Sequence, residues 1–432
     1  MSLDVGPWVH AEDLERGAAS ALTSQLRGSA ILAIAAKVRE LQGQGRSISN
    51  FTIGDFAPGV FPVPDSLKDA VADAYRADQT NYPPAVGCPE LRAAVRSYYG
   101  SRLGLDYPDG SVQVGSGARP PIYAAFYALV DPGDAVIYGV PSWNVNHYVQ
   151  LVGGEHRVVT GDPDQGFMLT AEAIEPHLAG ARLLCLNSPL NPAGTVFEPT
   201  QLEAIAKLVV AENRRRASTG ERPLFILYDQ VYWQLVFEPA RHVTPVTLVP
   251  EAAAYTVHVD AISKCWAATG LRVGWAVAPP AIIARMKPLV GHMGAWAPRP
   301  EQIATASLLA EPELVDPFLS DFSGRIEGSL KRLADGFGRM AADGLPVMAL
   351  PPRGALYLSV RFDLMGRTLH GAPLDDERLG AWLLEEAGVA VVPFTAFGYP
   401  AGSGFVRFSV GAVSSADIDR ALERIETLLR GL

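Results

Sequence analysis

The residue types best suited to chemistry concentrate in residues 260–275, Asp-Ala-Ile-Ser-Lys-Cys-Trp-Ala-Ala-Thr-Gly-Leu-Arg-Val-Gly-Trp. Lys264 follows the β-branched run Tyr255-Thr-Val-His-Val259 and precedes mostly small residues ending in Gly270, Arg272 and Gly274. A lysine just past a buried strand is poorly placed to be a solvated surface charge. Burial or a neighbouring cation lowers the pKa of such an amine, which can then form a Schiff base with a carbonyl. Arg272 adds a fixed planar cation suited to phosphate.

Other segments supply complementary groups. Gly115-Ser-Gly-Ala-Arg-Pro-Pro121 joins a strand to a helix. Glycines there let backbone N–H groups approach an anion, and prolines suit a helix's first turn, so the segment is a phosphate cradle or an ordinary tight turn. It is neither a P-loop, lacking Gly-Lys-Ser/Thr, nor a good dinucleotide fingerprint, since Pro120 replaces the third glycine. Leu224-Phe-Ile-Leu-Tyr-Asp229 ends an apolar strand in a carboxylate, with Tyr232 following. That aspartate can pair with a protonated ring nitrogen or cap a helix. Asn191, in Asn187-Ser-Pro-Leu-Asn-Pro-Ala-Gly-Thr195, is an amide held between prolines or a plain turn residue. Trp143 can stack on a planar ring or fill core. Arg407, inside the apolar strand Phe405-Val-Arg-Phe-Ser-Val410, needs a carboxylate or phosphate partner, whether from a ligand or a salt bridge.

The elements that must position these groups follow from apolar periodicity. Strands are expected at 111–115, 135–139, 156–159, 182–187, 223–229, 254–259 and 273–278, alternating with helices near 120–130, 143–152, 170–178, 199–216 and 280–292. Such alternation predicts an α/β layer with a largely parallel sheet, whose ligands gather beyond the carboxyl ends of strands. A polar arm opens the chain, a helix is expected over 31–41, a short strand over 47–53, and helices over 65–77 and 89–103. A long helix over 313–341, strands at 355–360, 389–392 and 405–410, a helix at 375–387 and a last amphipathic helix capped by Ser414 and Asp417 suggest a smaller α+β unit. The expected division is 1–60 with 300–432 as the small domain and 61–299 as the large one.

The chain has 432 residues, 48% of them hydrophobic and 19% charged, enough for a well-cored globule of two or three domains. A net charge of −10 argues against a nucleic-acid surface. Cys88, Cys185 and Cys265 are too scattered for a disulfide framework or zinc spacing. Early acidic residues do not read as a signal peptide, and no apolar run reaches the ~20 residues of a membrane span. A cytoplasmic setting is the simplest expectation.

Taken together and in this order, the motifs resemble those of fold-type I pyridoxal-phosphate enzymes, specifically the class I/II aminotransferases. The resemblance runs from about residue 30 to the C-terminus. Its most specific pieces are Ser-Lys-x5-Gly-x-Arg-x-Gly (263–274), Asn-Ser-Pro-x-Asn-Pro-x-Gly (187–194), Tyr-Asp-x-x-Tyr (228–232) and the late strand arginine. It implies a seven-stranded, mostly parallel large domain and a smaller α+β domain. It further implies that Lys264 binds the cofactor pyridoxal 5'-phosphate and acts as base, while Asp229 keeps the ring nitrogen protonated. Asn191 and Tyr232 would bond the phenolic oxygen, and Trp143 would stack on the ring. Gly117, Ala118, Arg119, Ser263 and Arg272 would hold the phosphate; Arg407, Gly54 and Asn191 would hold the substrate. The expected reaction is ping-pong transfer of an amino group from an α-amino acid to a 2-oxo acid. Tyr82 matches the family tyrosine that reaches a neighbouring subunit's phosphate, so a homodimer with shared sites is implied.

Three departures stand out. Ala261 occupies a position where many members place a phosphate-binding Ser or Thr. Gly54-Asp-Phe-Ala-Pro58 differs from the common Gly-x-Pro-Asp-Phe. No counterpart of the arginine that reads an aspartate side chain is recognisable before Trp296-Ala-Pro-Arg299; Arg299 or His292 would substitute or lie on the surface. The same motifs also serve β-lyases and other Cα-carbanion enzymes, and a cofactor-sensing regulator would need a DNA-binding extension.

Overall fold

The computed structural model describes residues 6, 18–26, 30–369 and 371–432. Most of the polar N-terminal arm lies outside the described residues. The central sheet has seven strands: β1 Val112–Ser116, β2 Ala135–Val140, β3 Glu155–Thr160, β4 Ala181–Asn187, β5 Phe225–Asp229, β6 Thr256–Ala261 and β7 Val273–Val277. Their spatial order is β1-β7-β6-β5-β4-β2-β3. Only β7 runs antiparallel to its neighbours, β1 and β6. The mostly parallel sheet expected from the sequence is therefore present.

The inner strands β4 and β5 read as near-continuous apolar runs because both their faces are covered, whereas the edge strand β3 is polar and largely exposed. Leu184 and Leu186 of β4 and Ile226 and Tyr228 of β5 pack in one core. Leu183, Cys185, Phe225 and Leu227 alternate onto the other face, against Ile122, Ala125 and Phe126 of helix α1, Arg119–Leu129. That alternation puts Asn187 and Asp229, the last residues of β4 and β5, on the α1 side. Parallel register pairs the two directly.

The second layered unit centres on β8 Val347–Ala349, β9 Tyr357–Phe362, β10 Val392–Pro393 and β11 Phe405–Ser409, in the order β10-β11-β9-β8. Helix α2, Pro312–Ala342, covers it through Phe322, Ile326, Leu330, Leu333 and Phe337. The final helix, Ser415–Arg430, carries the expected capping box, Ser414 and Asp417 each accepting from the other's backbone N–H. The early strand shrinks to Ser49–Asn50, paired in parallel with Val389–Ala390. The N-terminal helix forms as Ala30–Gly43, and its Val38 and Leu41 pack on Leu384 and Ala390.

Some elements differ from expectation, among them the strand expected at 389–392, which divides into Val389–Ala390 and Val392–Pro393 in two different sheets. Helix Arg299–Leu309 was not anticipated, because Pro298 and Pro300 disguise its start. Its Ala304, Leu308 and Leu309 share a core with Leu67, Leu91 and Trp275, so packing of the large unit continues past residue 300. Strand β8 was also unanticipated; three residues are too short to show alternation. Among the described residues no helix is long and apolar enough to cross a membrane, and no cluster could hold a metal ion.

Candidate active site

A cavity of about 710 Å³ opens beyond the carboxyl ends of β4, β5 and β6, where the second unit meets the sheet. Lys264, Asp229, Asn191, Tyr232, Trp143, Ala118, Arg119, Ser263, Arg272, Gly54 and Arg407 all line it. Lys264 sits in one helical turn, Ile262–Cys265, that follows the fully buried β6. The strand thus ends under the cavity floor and the turn lifts the amine into it. Lys264 Nζ donates to the Gly54 carbonyl at 2.5 Å and lies 5.8 Å from the Tyr232 ring centre. Burial lowers its pKa to about 8; Asp55 acts in the opposite sense, and Arg407, Arg119 and Arg272 lower it further.

Asp229 is held from several sides. Its Oδ1 accepts from Val231 N at 3.2 Å, and its carbonyl accepts from Ser188 N and Asn187 Nδ2. Burial raises its pKa to about 6, against the Val231 hydrogen bond and the Lys264 charge. Tyr232 shares a 2.9 Å hydroxyl contact with Tyr357, and its pKa is raised chiefly by burial.

Arg407, only 1% exposed, donates to Asn191 Oδ1 at 3.0 Å and to the Thr52 carbonyl at 2.7 Å. Its guanidinium lies between the rings of Tyr357 and Phe397, 4.6 and 4.9 Å from their centres. Its Nε is buried without a hydrogen-bond partner, and no carboxylate is paired with it among the described residues. A buried arginine left in this state is suited to an incoming carboxylate. The same contact orients Asn191: its oxygen faces the arginine, so its Nδ2 is free for another acceptor. Asn187 Oδ1 in turn accepts from Asn191 N, tying this loop to the end of β4.

The anion end is built around Arg272, which donates to the carbonyls of Thr269 and Ser116. Gly117, at φ +81°, lies so near that a Cβ there would fall 2.3 Å from Arg272 Nη2. Its N–H donates to the Gly115 carbonyl, so Gly117 contributes space for the arginine rather than a free donor. Free N–H groups come instead from Ala118 and Arg119 at the start of α1. The Arg119 guanidinium lies 5.2 Å from the Trp143 ring centre. Ala261 lines the wall without a hydroxyl, beside Ser263.

Tyr82 is not brought into this cavity. It is 82% exposed and packs edge-on against Trp296. Arg299 and His292 also lie outside the cavity; Arg299 donates to Gln79. Sequence reasoning gave no role to Asp55, Thr269, Asn187, Thr52 and Tyr357. Asn187 lay inside a quoted motif, whereas Thr52 acts through its carbonyl and carries no side-chain signal.

Sheet and cavity together define an α/β enzyme organised around a buried lysine, a strand-end aspartate and an anion site. The family model described as aminotransferase class I and II matches residues 47–425. The aspartate aminotransferase of Streptomyces avermitilis is 32% identical, covering 95% of this chain and 96% of its own length. The aspartate/prephenate aminotransferase of Thermus thermophilus is also 32% identical, covering 94% of this chain and 97% of its own. The crystal structure of the aspartate aminotransferase from Rhizobium meliloti superposes with a TM-score of 0.87 at 28% identity, over 95% of this chain and 98% of that one. The chain belongs to the class I and II aminotransferase family, and it is a transaminase with the fold-type I architecture.

Proposed function

We propose that the cavity binds pyridoxal 5'-phosphate through Lys264, and that the enzyme moves the amino group of an α-amino acid to a 2-oxoglutarate-type acceptor by a ping-pong mechanism. The residues present fit that cofactor. A cradle that a Cβ would fill lies against Arg272, next to the α1 N-terminus and Ser263. A buried carboxyl stands opposite it at the end of β5. When bound, the cofactor supplies an electron sink for the pair released at the substrate's Cα.

The chain's own residues do the rest. Arg272, Ser263 and the Ala118 and Arg119 N–H groups would hold the phosphate, and Trp143 would cover one face of the ring. Asp229 would hold a proton on the ring nitrogen. Asn191 Nδ2 and the Tyr232 hydroxyl would bond the phenolic oxygen. Arg407 grips the substrate's α-carboxylate with donors it does not spend on Asn191 and Thr52. Lys264 Nζ is the base that takes the proton from Cα; a pKa near 8 suits that task at neutral pH. Tyr82, exposed, would serve the site of a second subunit, so the same proposal includes a homodimer with shared sites in the cytoplasm.

One observation carries this reading. Lys264 and Arg407 bond to carbonyls two residues apart, Gly54 and Thr52, so one backbone segment sets base and carboxylate grip at a fixed separation. The test is transfer of isotopic nitrogen from a panel of amino acids to 2-oxoglutarate or pyruvate by the cofactor-loaded protein. Aspartate heads the panel because the relatives named above are aspartate aminotransferases. Labelled amino acid product is expected. Ammonia and pyruvate released in its place would overturn transfer in favour of β-elimination.

A further inference from the structure

Asp55 fills the variable position of Gly54-Asp-Phe-Ala-Pro58, just before the chain leaves the common Gly-x-Pro-Asp-Phe pattern at Phe56, and the structure gives it a definite place. It follows Gly54, whose carbonyl accepts from Lys264 Nζ at 2.5 Å, and it lines the cavity. Its Oδ1 accepts from Thr269 Oγ1 at 2.6 Å and from Phe56 N at 2.7 Å. Thr269 lines the same cavity, in the turn that leads to Arg272. The carboxylate is therefore fixed at both ends of its backbone neighbourhood, with Oδ2 outside both bonds.

The charges around the lysine make that position consequential. Arg119 from α1, Arg272 before β7 and Arg407 from β11 all act on Lys264 as like charges. Asp229 faces it from the end of β5, with Tyr232 beyond, and Cys265 is its chain neighbour. Asp229 is committed to the ring nitrogen under the proposed function. Asp55, which also faces Arg272 and Tyr357, is then the carboxylate left to balance three arginines.

We propose that Asp55, anchored by Thr269, is the counter-charge of Lys264 and sets the pH at which that nitrogen loses its proton. It is a positioning residue, acting on Lys264 through the field across the cavity. The inference rests on the assignment of Lys264 as the cofactor-binding base.

The test is an absorbance titration of the cofactor-loaded full chain, comparing wild type with Asp55→Asn, Asp55→Glu and Thr269→Val. Removing a nearby carboxylate favours the neutral amine or imine. The Asp55→Asn midpoint is expected to fall by about half a pH unit or more. Asp55→Glu should restore it, and Thr269→Val, which keeps the charge but frees it, should fall between. Coincident midpoints for wild type and Asp55→Asn would overturn the proposal. If the wild type shows no visible band, the cofactor assignment fails instead. Acetylation of Lys264 as a function of pH in the cofactor-free full chain then decides: a displaced profile in Asp55→Asn supports the counter-charge, and superimposed profiles overturn it.

Discussion

Gly117→Ala tests whether the anion site is built as described. Gly117 has φ +81°, and a Cβ there would lie 2.3 Å from Arg272 Nη2 and 2.8 Å from its Cζ. The left-handed backbone alone costs an L-residue about 1–2 kcal/mol. The larger effect is steric, because the guanidinium must leave. Its bonds to the Thr269 and Ser116 carbonyls, at 2.7 and 2.9 Å, are then broken or lengthened. Hydrogen bonds from a charged donor are worth about 1.5–3 kcal/mol each, and partial exposure of Arg272 argues for the low end. A loss of about 2 kcal/mol at the phosphate site corresponds to about 30-fold weaker cofactor binding. Equilibrium titration of the cofactor-free chain with pyridoxal phosphate measures it, and thermal unfolding should show a fall of a few degrees. Arg272→Lys alone should weaken binding similarly, and the double variant should be no worse than the single ones added, because one contact is removed twice. Gly117→Ala affinity within about threefold of wild type would refute the reasoning, since even one lost contact exceeds that.

Further predictions concern the carboxylate grip and the buried titratable groups. Arg407→Lys loses the planar fork that reaches Asn191 and Thr52 together, so KM should rise about 10–100-fold for every α-amino acid, measured by steady-state kinetics. Asp229→Asn should abolish most activity yet stabilise the cofactor-free fold. Because burial raises the Asp229 pKa to about 6, its ionisation costs stability as pH rises from about 4 to 6. The gain in thermal midpoint over wild type should therefore be small at the acid end and full above pH 6. His242 and His258 carry the opposite sign. Burial holds both near 3, so the stability they permit is present above their ordinary range and is lost as pH falls towards 3. Replacing His258 with Gln should move the acid-unfolding midpoint to lower pH, measured by circular dichroism.

The fold was legible because its inner strands are covered on both faces. Leu183 to Leu186 and Phe225 to Tyr228 are apolar without interruption, and the residue that breaks each run, Asn187 or Asp229, marks the strand's functional end. Lys264 was legible for the same reason, as the first cation after a buried strand. What escaped was set by packing between segments distant in the chain. Tyr357 meets Tyr232 across 125 residues, and Thr52 meets Arg407 through a carbonyl that every residue type possesses. The Gly117 reading missed that its N–H turns back to Gly115, since sequence shows a glycine's freedom but not which way its amide points. Helix Arg299–Leu309 was hidden by prolines that belong to its first turn.

The central claim is that Lys264, and no other lysine, bonds the cofactor. The chain contains six lysines, at 37, 68, 207, 264, 287 and 331, so one peptide map discriminates among them. Borohydride reduction of the cofactor-loaded protein followed by mass spectrometry should find the reduced pyridoxyl group on the peptide that carries Lys264. Label on any of the other five lysines, or an unlabelled Lys264 in protein that has lost its colour on reduction, would contradict the account.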